Sequence, residues 1–238
     1  MSDTDKKHLS SIPLVHEYKE LPMPYKWDMT DGEMVEQSEK FLELMTKRHT
    51  VREYSTRSVP KKVIENCIKA AGLAPSGANH QPWHFAVIEN PEHKQKIREA
   101  AEEEEKTFYA GRASDEWLNA LEPIGTNESK PHLTIAPWLI VIFAQRNSVD
   151  RNGRKFKNYY VTESVGIATG FLITALHNAG LTTLTHTPNP MKFLNELCGR
   201  PATEKPEMIL VVGHPNEEAT VPAHAKWKKS LDEIMSVF

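Results

Sequence analysis

The chain has 238 residues, 29 of them Lys or Arg and 32 Asp or Glu, for a formal net charge of −3. That balance argues against a dedicated nucleic-acid or membrane-surface binder, which would be basic, and two cysteines, Cys67 and Cys198, cannot build a disulfide framework. No run approaches the ~18 apolar residues of a membrane span, and the opening MSDTDKKHLSSIP has no apolar signal region. The expectation is a cytoplasmic protein with one compact domain.

Residues 1–30 carry Pro13, Pro22 and Pro24 and read as an extended arm. Asp31 opens a helix whose apolar stripe is Met34, Phe41, Leu42, Leu44 and Met45, closed by Lys47-Arg48. Pro60 opens a second helix with Val63, Ile64, Cys67, Ile68 and Ala71 on one side, which makes Cys67 a buried thiol. Ala74 to Asn79 is loop chemistry, and His84 to Ile88 reads as a strand. Pro91 starts a helix running through KQKIREAAEEEEKTFY, and Gly111 to Pro131 is loose, with a short helix around Trp117, Leu118 and Leu121.

Ile135 to Phe143 is the most apolar strand-type stretch and is expected at the centre of a sheet. Residues 158–179 form the longest helix candidate, in which Gly166 and Gly170 let another helix approach closely. Leu181–Thr185 and Met208–Val212 are further strands, the latter ended by Gly213, and a basic Lys226, Lys228, Lys229 stretch precedes an amphipathic tail. Helices and strands mix without regular βαβ alternation, which favours an α+β fold.

Several chemistries are missing. The chain has no G-x-G-x-x-G after a strand, no G-x-x-x-x-G-K-[ST], no C-x-x-C and no H-E-x-x-H, so dinucleotide, P-loop and metal readings have no support. With 11 glycines, the chain is poor in the residue that nucleotide loops use. Arg48-His49-Thr50-Val51-Arg52 offers two guanidiniums that either clamp a phosphate or simply face solvent. In Pro75 to Trp83, Gly77 and Ala78 allow close approach of a planar ligand while Ser76 and Asn79 offer hydrogen bonds; an ordinary helix-to-strand loop reads the same way. Glu102 to Glu105 is a run of carboxylates, by spacing alone a solvated face.

Taken in order, R-H-T-V-R-E-Y after the first helix, A-P-S-G-A-N-H-Q-P-W before the first strand and a basic residue near the C-terminus resemble the nitroreductase-like flavoprotein superfamily. The stretch E-E-E-E-K-T-F-Y, then W-L, then T-N-E-S-K-P-H-L-T-I-A-P, together with the tail A-T-V-P…K-S-L-D-E-I-M, resembles its iodotyrosine deiodinase branch over roughly residues 40–238. The resemblance implies a mainly antiparallel sheet flanked by helices, an intertwined homodimer, and FMN held without a Gly-rich loop. Residues 31–238 are then one FMN-binding domain whose stretch of about 102–131 is an active-site lid. Animal members carry an N-terminal membrane anchor, so this chain is expected to be a soluble, bacterial homologue that uses neither nucleic acid nor membrane.

The implied chemistry is FMN-dependent reductive dehalogenation of halotyrosines, 3-iodo-L-tyrosine giving tyrosine and iodide, by single-electron steps and with an external electron donor. Glu105, Tyr109 and Lys130 fall on the branch's substrate positions. A zwitterion needs an anion for its ammonium and a cation for its carboxylate, and Glu105 and Lys130 supply one each. The backbone N–H of Ala78 is expected to meet the phenolate, by the logic of an oxyanion hole. Thr187 is the hydroxyl expected at flavin N5, and a strand-end threonine capping a turn is its bland alternative. Cofactor contacts are implied for Arg48, His49, Thr50, Arg52, Pro75, Ser76, Gly77, Thr185, His186, Thr187 and Lys228, with Lys226 or Lys229 as stand-ins for the last. Lys228 replaces the more usual Arg and loses its fork, and His186 replaces a small hydroxyl residue. The competing functions are a general NAD(P)H-dependent nitro or quinone reductase, a flavin-binding or flavin-cleaving protein without halide chemistry, and a non-enzymatic dimeric scaffold.

Overall fold

A computed structural model describes residues 17–26, 28–150 and 152–238. Most of the expected arm, residues 1–16 and Trp27, lies outside the described residues; residues 17–26 and 28–30 are exposed and form neither helix nor strand.

Helix α1 (Asp31–Thr46) starts at a capping box in which Thr30 and Glu33 satisfy each other's backbone N–H groups. Helix α2 (Lys61–Ala71) follows Pro60 and buries Ile64, Cys67 and Ala71. Strand β1 (Trp83–Ile88) leads to α3 (Pro91–Thr107), and α4 (Asp115–Leu121) and α5 (His132–Ile135) precede β2 (Trp138–Gln145). A small hairpin, β3 (Asn147–Val149) and β4 (Lys155–Lys157), connects to α6 (Val161–Asn178) and β5 (Thr182–His186). Helix α7 (Phe193–Leu197), β6 (Glu204–Gly213) and a four-residue α8 (Leu231–Ile234) complete the chain.

The main sheet has the order β1-β2-β6-β5 and is antiparallel throughout. Strand β2, WLIVIFAQ, is buried along nearly its whole length because helices cover both faces. On one face α2 and α6, through Ile64, Cys67, Val165, Leu172 and Leu176, pack on Ile140, Ile142, Leu210 and Val212. On the other, α3, α5 and α7, through Ile97, Ala101, Leu133 and Leu194, cover Leu139, Val141, Phe143, Ile209 and Val211. The period of two along β2 and β6 thus sorts one continuous apolar run into two cores.

The strand expected over Ile135–Phe143 starts at Trp138 instead. Pro131 caps a short helix that takes His132–Ile135, and Pro137 cannot donate to the ladder. The polar hairpin β3–β4 and helix α7 had no hydrophobic period to announce them. The expected amphipathic tail contributes only α8.

The segment after α1 is what positions the site. Thr50 bridges Thr183 in parallel and Tyr54 bridges Pro215 antiparallel, so the segment leaves the open side of β5 and ends beside the residues that follow β6. Val51 N–H donates to Thr183 O at 3.4 Å, Ser55 N–H to His214 O at 2.9 Å and Tyr54 Oη to Val211 O at 3.2 Å. Gly213 makes this close packing possible: a Cβ there would lie 2.6 Å from Pro137 Cδ and 3.1 Å from Tyr54 Cδ1. The Gly213→Ala variant is therefore expected to lose about 1–3 kcal/mol to overpacking, read as a lower urea midpoint at unchanged m-value; an unchanged midpoint contradicts this packing.

Candidate active site

A cavity of about 250 Å³ lies between the end of β5 and a roof built from α3, the turn beyond it and α4. The long helix expected through Tyr109 breaks at Thr107: residues Phe108–Arg112 form a single π-type turn, and Gly111 at φ +151° redirects the chain. Such turns recur at functional sites because the wider ring reorients side chains. Here it sets Phe108 edge-on to both Tyr109 (5.3 Å) and Trp117 (5.0 Å). Phe108, Trp117, Leu121 and Ile124 form the apolar wall.

The cavity's polar end brings together Glu105, Tyr109 and Lys130. Glu105 Oε2 lies 3.2 Å from Lys130 Nζ, with the two side chains only 13% and 4% exposed. Lys130 Nζ also donates to Thr126 Oγ1 at 3.1 Å and to the Asn127 carbonyl, and it lies 5.8 Å from the centroid of the Tyr109 ring. Tyr109 Oη donates to Thr126 O at 3.2 Å, and burial raises its pKa, with the Glu105 carboxylate adding to the effect.

Glu102 is a site residue that the sequence reading absorbed into its acidic run. Its Oε1 accepts from Lys130 N–H at 2.7 Å and from Arg98 Nε at 2.8 Å. Burial opposes its ionisation, but those two donors outweigh burial and hold the carboxyl below its usual range. Glu102 thus ties the backbone at the far end of the lid to α3. The i,i+4 spacing of Arg98 and Glu102 was the available signal.

Beneath Lys130 the rings of His132 and His186 meet edge to face, 5.9 Å between centroids. Burial lowers the His132 pKa to about 4, with Lys130, Arg52 and Arg98 adding, and lowers that of His186 to about 3, with His132 and Lys130 adding. Both imidazoles are neutral at neutral pH, and their Nε2 atoms are buried without a partner among the described residues. His186 alternates with Thr185 and Thr187 at the end of β5: its ring is buried, while both threonines are exposed residues lining the cavity.

Arg48 and His49 line a second cavity of about 260 Å³ with His177, Thr182, Thr183 and Asn216. Burial lowers the His49 pKa, and its charged neighbours Lys226, Arg48 and Lys228 lower it further. The tail therefore brings the Lys226 and Lys228 charges near His49 beside Arg48, and this collection of cations suits a phosphate dianion. Arg52 is not part of it; it lines the first cavity instead.

The Pro75–Asn79 loop lines neither cavity. Ser76 Oγ accepts from Gln81 N–H at 2.9 Å, closing the loop on itself, and Gly77 N–H donates to Ser164 Oγ at 3.3 Å. A Cβ on Gly77 would sit 2.7 Å from Tyr159 O, so chain packing itself requires the glycine. Ala78 and Asn79 are left-handed (φ 50° and 55°), and the Ala78 N–H has no acceptor among the described residues.

Residues 45–214 match the Nitroreductase family. The chain is 52% identical over 190 residues to an iodotyrosine deiodinase of Haliscomenobacter hydrossis, covering 80% of this chain and 86% of that protein. It is 48% identical over 206 residues to iodotyrosine deiodinase 1 of Homo sapiens, covering 86% and 71%. Its fold is similar to the crystal structure of oxidized iodotyrosine deiodinase bound to FMN and 3-iodo-L-tyrosine, with a TM-score of 0.65 and 33% identity, over 74% of this chain and 90% of that one.

The histidine pair has a consequence for acid stability. In the unfolded chain a histidine charges below about pH 6.5, whereas in the fold His132 and His186 stay neutral down to about 4 and 3. The unfolded state thus binds more protons in that window, so stability is full above about pH 6.5 and falls as pH drops through it. Urea midpoints between pH 7.5 and 4 should show this slope, shallower in His186→Gln; an unchanged slope contradicts the neutral buried pair.

Proposed function

The chain belongs to the nitroreductase family and to its iodotyrosine deiodinase branch, and on that premise we propose that it reductively removes halide from halotyrosines, converting 3-iodo-L-tyrosine to tyrosine and iodide. The observation that carries this reading is the buried Glu105–Lys130 pair at 3.2 Å in the wall of an aromatic-roofed cavity. A general nitro or quinone reductase has no use for a carboxylate and an ammonium matched to an amino acid's two charges.

A bound zwitterion exchanges that single ion pair for two, the Glu105 carboxylate taking its ammonium and Lys130 its carboxylate, in a site where exclusion of water strengthens both. The Tyr109 hydroxyl supplies a hydrogen bond. Phe108, Trp117, Leu121 and Ile124 take the ring and keep water out, so residues of about 102–131 act as the lid.

The residues present fit FMN, which when bound supplies the two electrons of the reaction. Arg48, His49, Lys226 and Lys228 take its phosphate, without the glycine-rich turn that other nucleotide sites use. Thr50 lies against β5 between the phosphate end and Arg52, which serves the ring end. The Thr185 and Thr187 side chains line the cavity that would take the ring, where the Thr187 hydroxyl would be the donor for N5, and the buried His186 lines the same cavity from beneath. Pro75, Ser76 and Gly77 shape the loop that presents the Ala78 N–H to a phenolate.

That loop lines neither cavity of its own chain, which supports a homodimer in which each copy's loop completes its partner's site. Helix α1 buries none of its residues and leaves Met34, Val35, Phe41 and Leu42 at least half exposed. On α6, Ile167 and Phe171 are exposed beside Gly166 and Gly170, where nothing lies within 4 Å of an added Cβ. No helix among the described residues is long and apolar enough to cross a membrane, and an external donor restores the two electrons spent per halide.

Anaerobic, dithionite-reduced protein is expected to release iodide from 3-iodo-L-tyrosine; no release overturns the reading. Glu105→Gln should retain FMN but bind 3-iodo-L-tyrosine about 10- to 100-fold more weakly, the range for losing a charged hydrogen bond, measured by quenching of flavin fluorescence. Undiminished affinity in that variant contradicts the zwitterion assignment.

A further inference from the structure

We infer that Arg112 is a positioning residue that latches the substrate lid to the loop carrying Thr187, so that capture of the amino acid and placement of the Thr187 hydroxyl are one event. The inference rests on the halotyrosine reading and assigns a role to a residue outside Glu105, Tyr109 and Lys130.

Arg112 closes the π-type turn that begins at Phe108 and carries Tyr109. One of its guanidinium nitrogens, Nη1, lies 3.2 Å from Glu104 Oε2. The other, Nη2, donates to Glu104 O at 3.1 Å and to the Asn189 carbonyl. Glu104 precedes Glu105 on α3, and Asn189 lies two residues beyond Thr187 with Pro188 between them. Proline fixes φ at its own position, so a pull on the Asn189 carbonyl is passed to Thr187 with little slack. Among the described residues no other hydrogen bond or ion pair joins residues 108–126 to residues 187–190.

The chemistry of the contact suits a latch. Two acceptors are backbone carbonyls and one is a carboxylate, a set that a planar fork meets at once and an ammonium does not. The Arg112 and Glu104 side chains are 37% and 30% exposed, so solvent screens the pair and it opens readily. The lid-forming residues it secures also close the cavity over Glu105 and Lys130, which gives a ligand that orders the lid leverage on the β5 end.

The test is hydrogen–deuterium exchange on the FMN-loaded, oxidised protein, with and without 3-iodo-L-tyrosine, for the native chain, Arg112→Gln and Arg112→Lys. In the native protein the ligand should slow exchange in residues 105–130 and 185–190 together. In Arg112→Gln it should slow only the first segment, with the dissociation constant up about tenfold and a smaller ligand-induced change in the flavin spectrum. Arg112→Lys should not restore the coupling; full restoration would assign the effect to charge and overturn the latch. Equal protection of both segments in Arg112→Gln and the native protein would also overturn it. Without ligand, residues 185–190 should exchange several-fold faster in Arg112→Gln, and equal rates overturn the latch whatever the substrate. A native flavin spectrum that ignores 3-iodo-L-tyrosine would instead overturn the halotyrosine reading, and the ligand-free comparison would still decide the latch.

Discussion

Everything around the cavity depends on keeping the Lys130 ammonium buried. Removing such a charge from water costs several kcal/mol unless each of its protons finds an acceptor. Glu105, Thr126 Oγ1 and the Asn127 carbonyl provide those acceptors. Two of the three lie in the lid's own return segment, so the ammonium cannot be satisfied unless that segment folds back over it. Glu102 fixes the lysine's backbone from below. A single cation thus organises the loose, polar stretch between α4 and α5.

The same cation shapes its surroundings electrostatically. Burial keeps the two histidines beneath it neutral, and Lys130 adds to that for both, with Arg52 and Arg98 adding for His132. The field is therefore positive at one end of the cavity and relieved by Glu102 and Glu105 on α3.

Where local pattern decides structure, the sequence was readable. The apolar run of β2, the stripe of α2 and the length of α6 each follow from hydrophobic period. The sheet's antiparallel order and the meeting of Glu105, Tyr109 and Lys130 do not; they were legible through family resemblance, since only tertiary contact joins a lid's two ends. Gly77 shows the limit clearly. Its small size is required, but by the Tyr159 carbonyl, which no local reading identifies. Arg48 and Arg52 line different cavities, and Glu102 was masked by identical neighbours in sequence. His132 and His186 lie far apart in sequence, and nothing local pairs them.

The stitching of Thr50 and Val51 onto β5 has a meaning beyond the cofactor. Strand β5 ends the main sheet, and a bare sheet end offers its unpaired amides and carbonyls to any passing strand. Thr50 and Val51 occupy part of that ladder at Thr183, while Tyr54 and Ser55 hold the stretch to Pro215 and His214 just past β6. The stretch that carries Arg48 and Arg52 is thereby also a guard against chain-to-chain strand pairing, and a change that loosens it uncovers a self-adhesive margin as well as weakening a ligand.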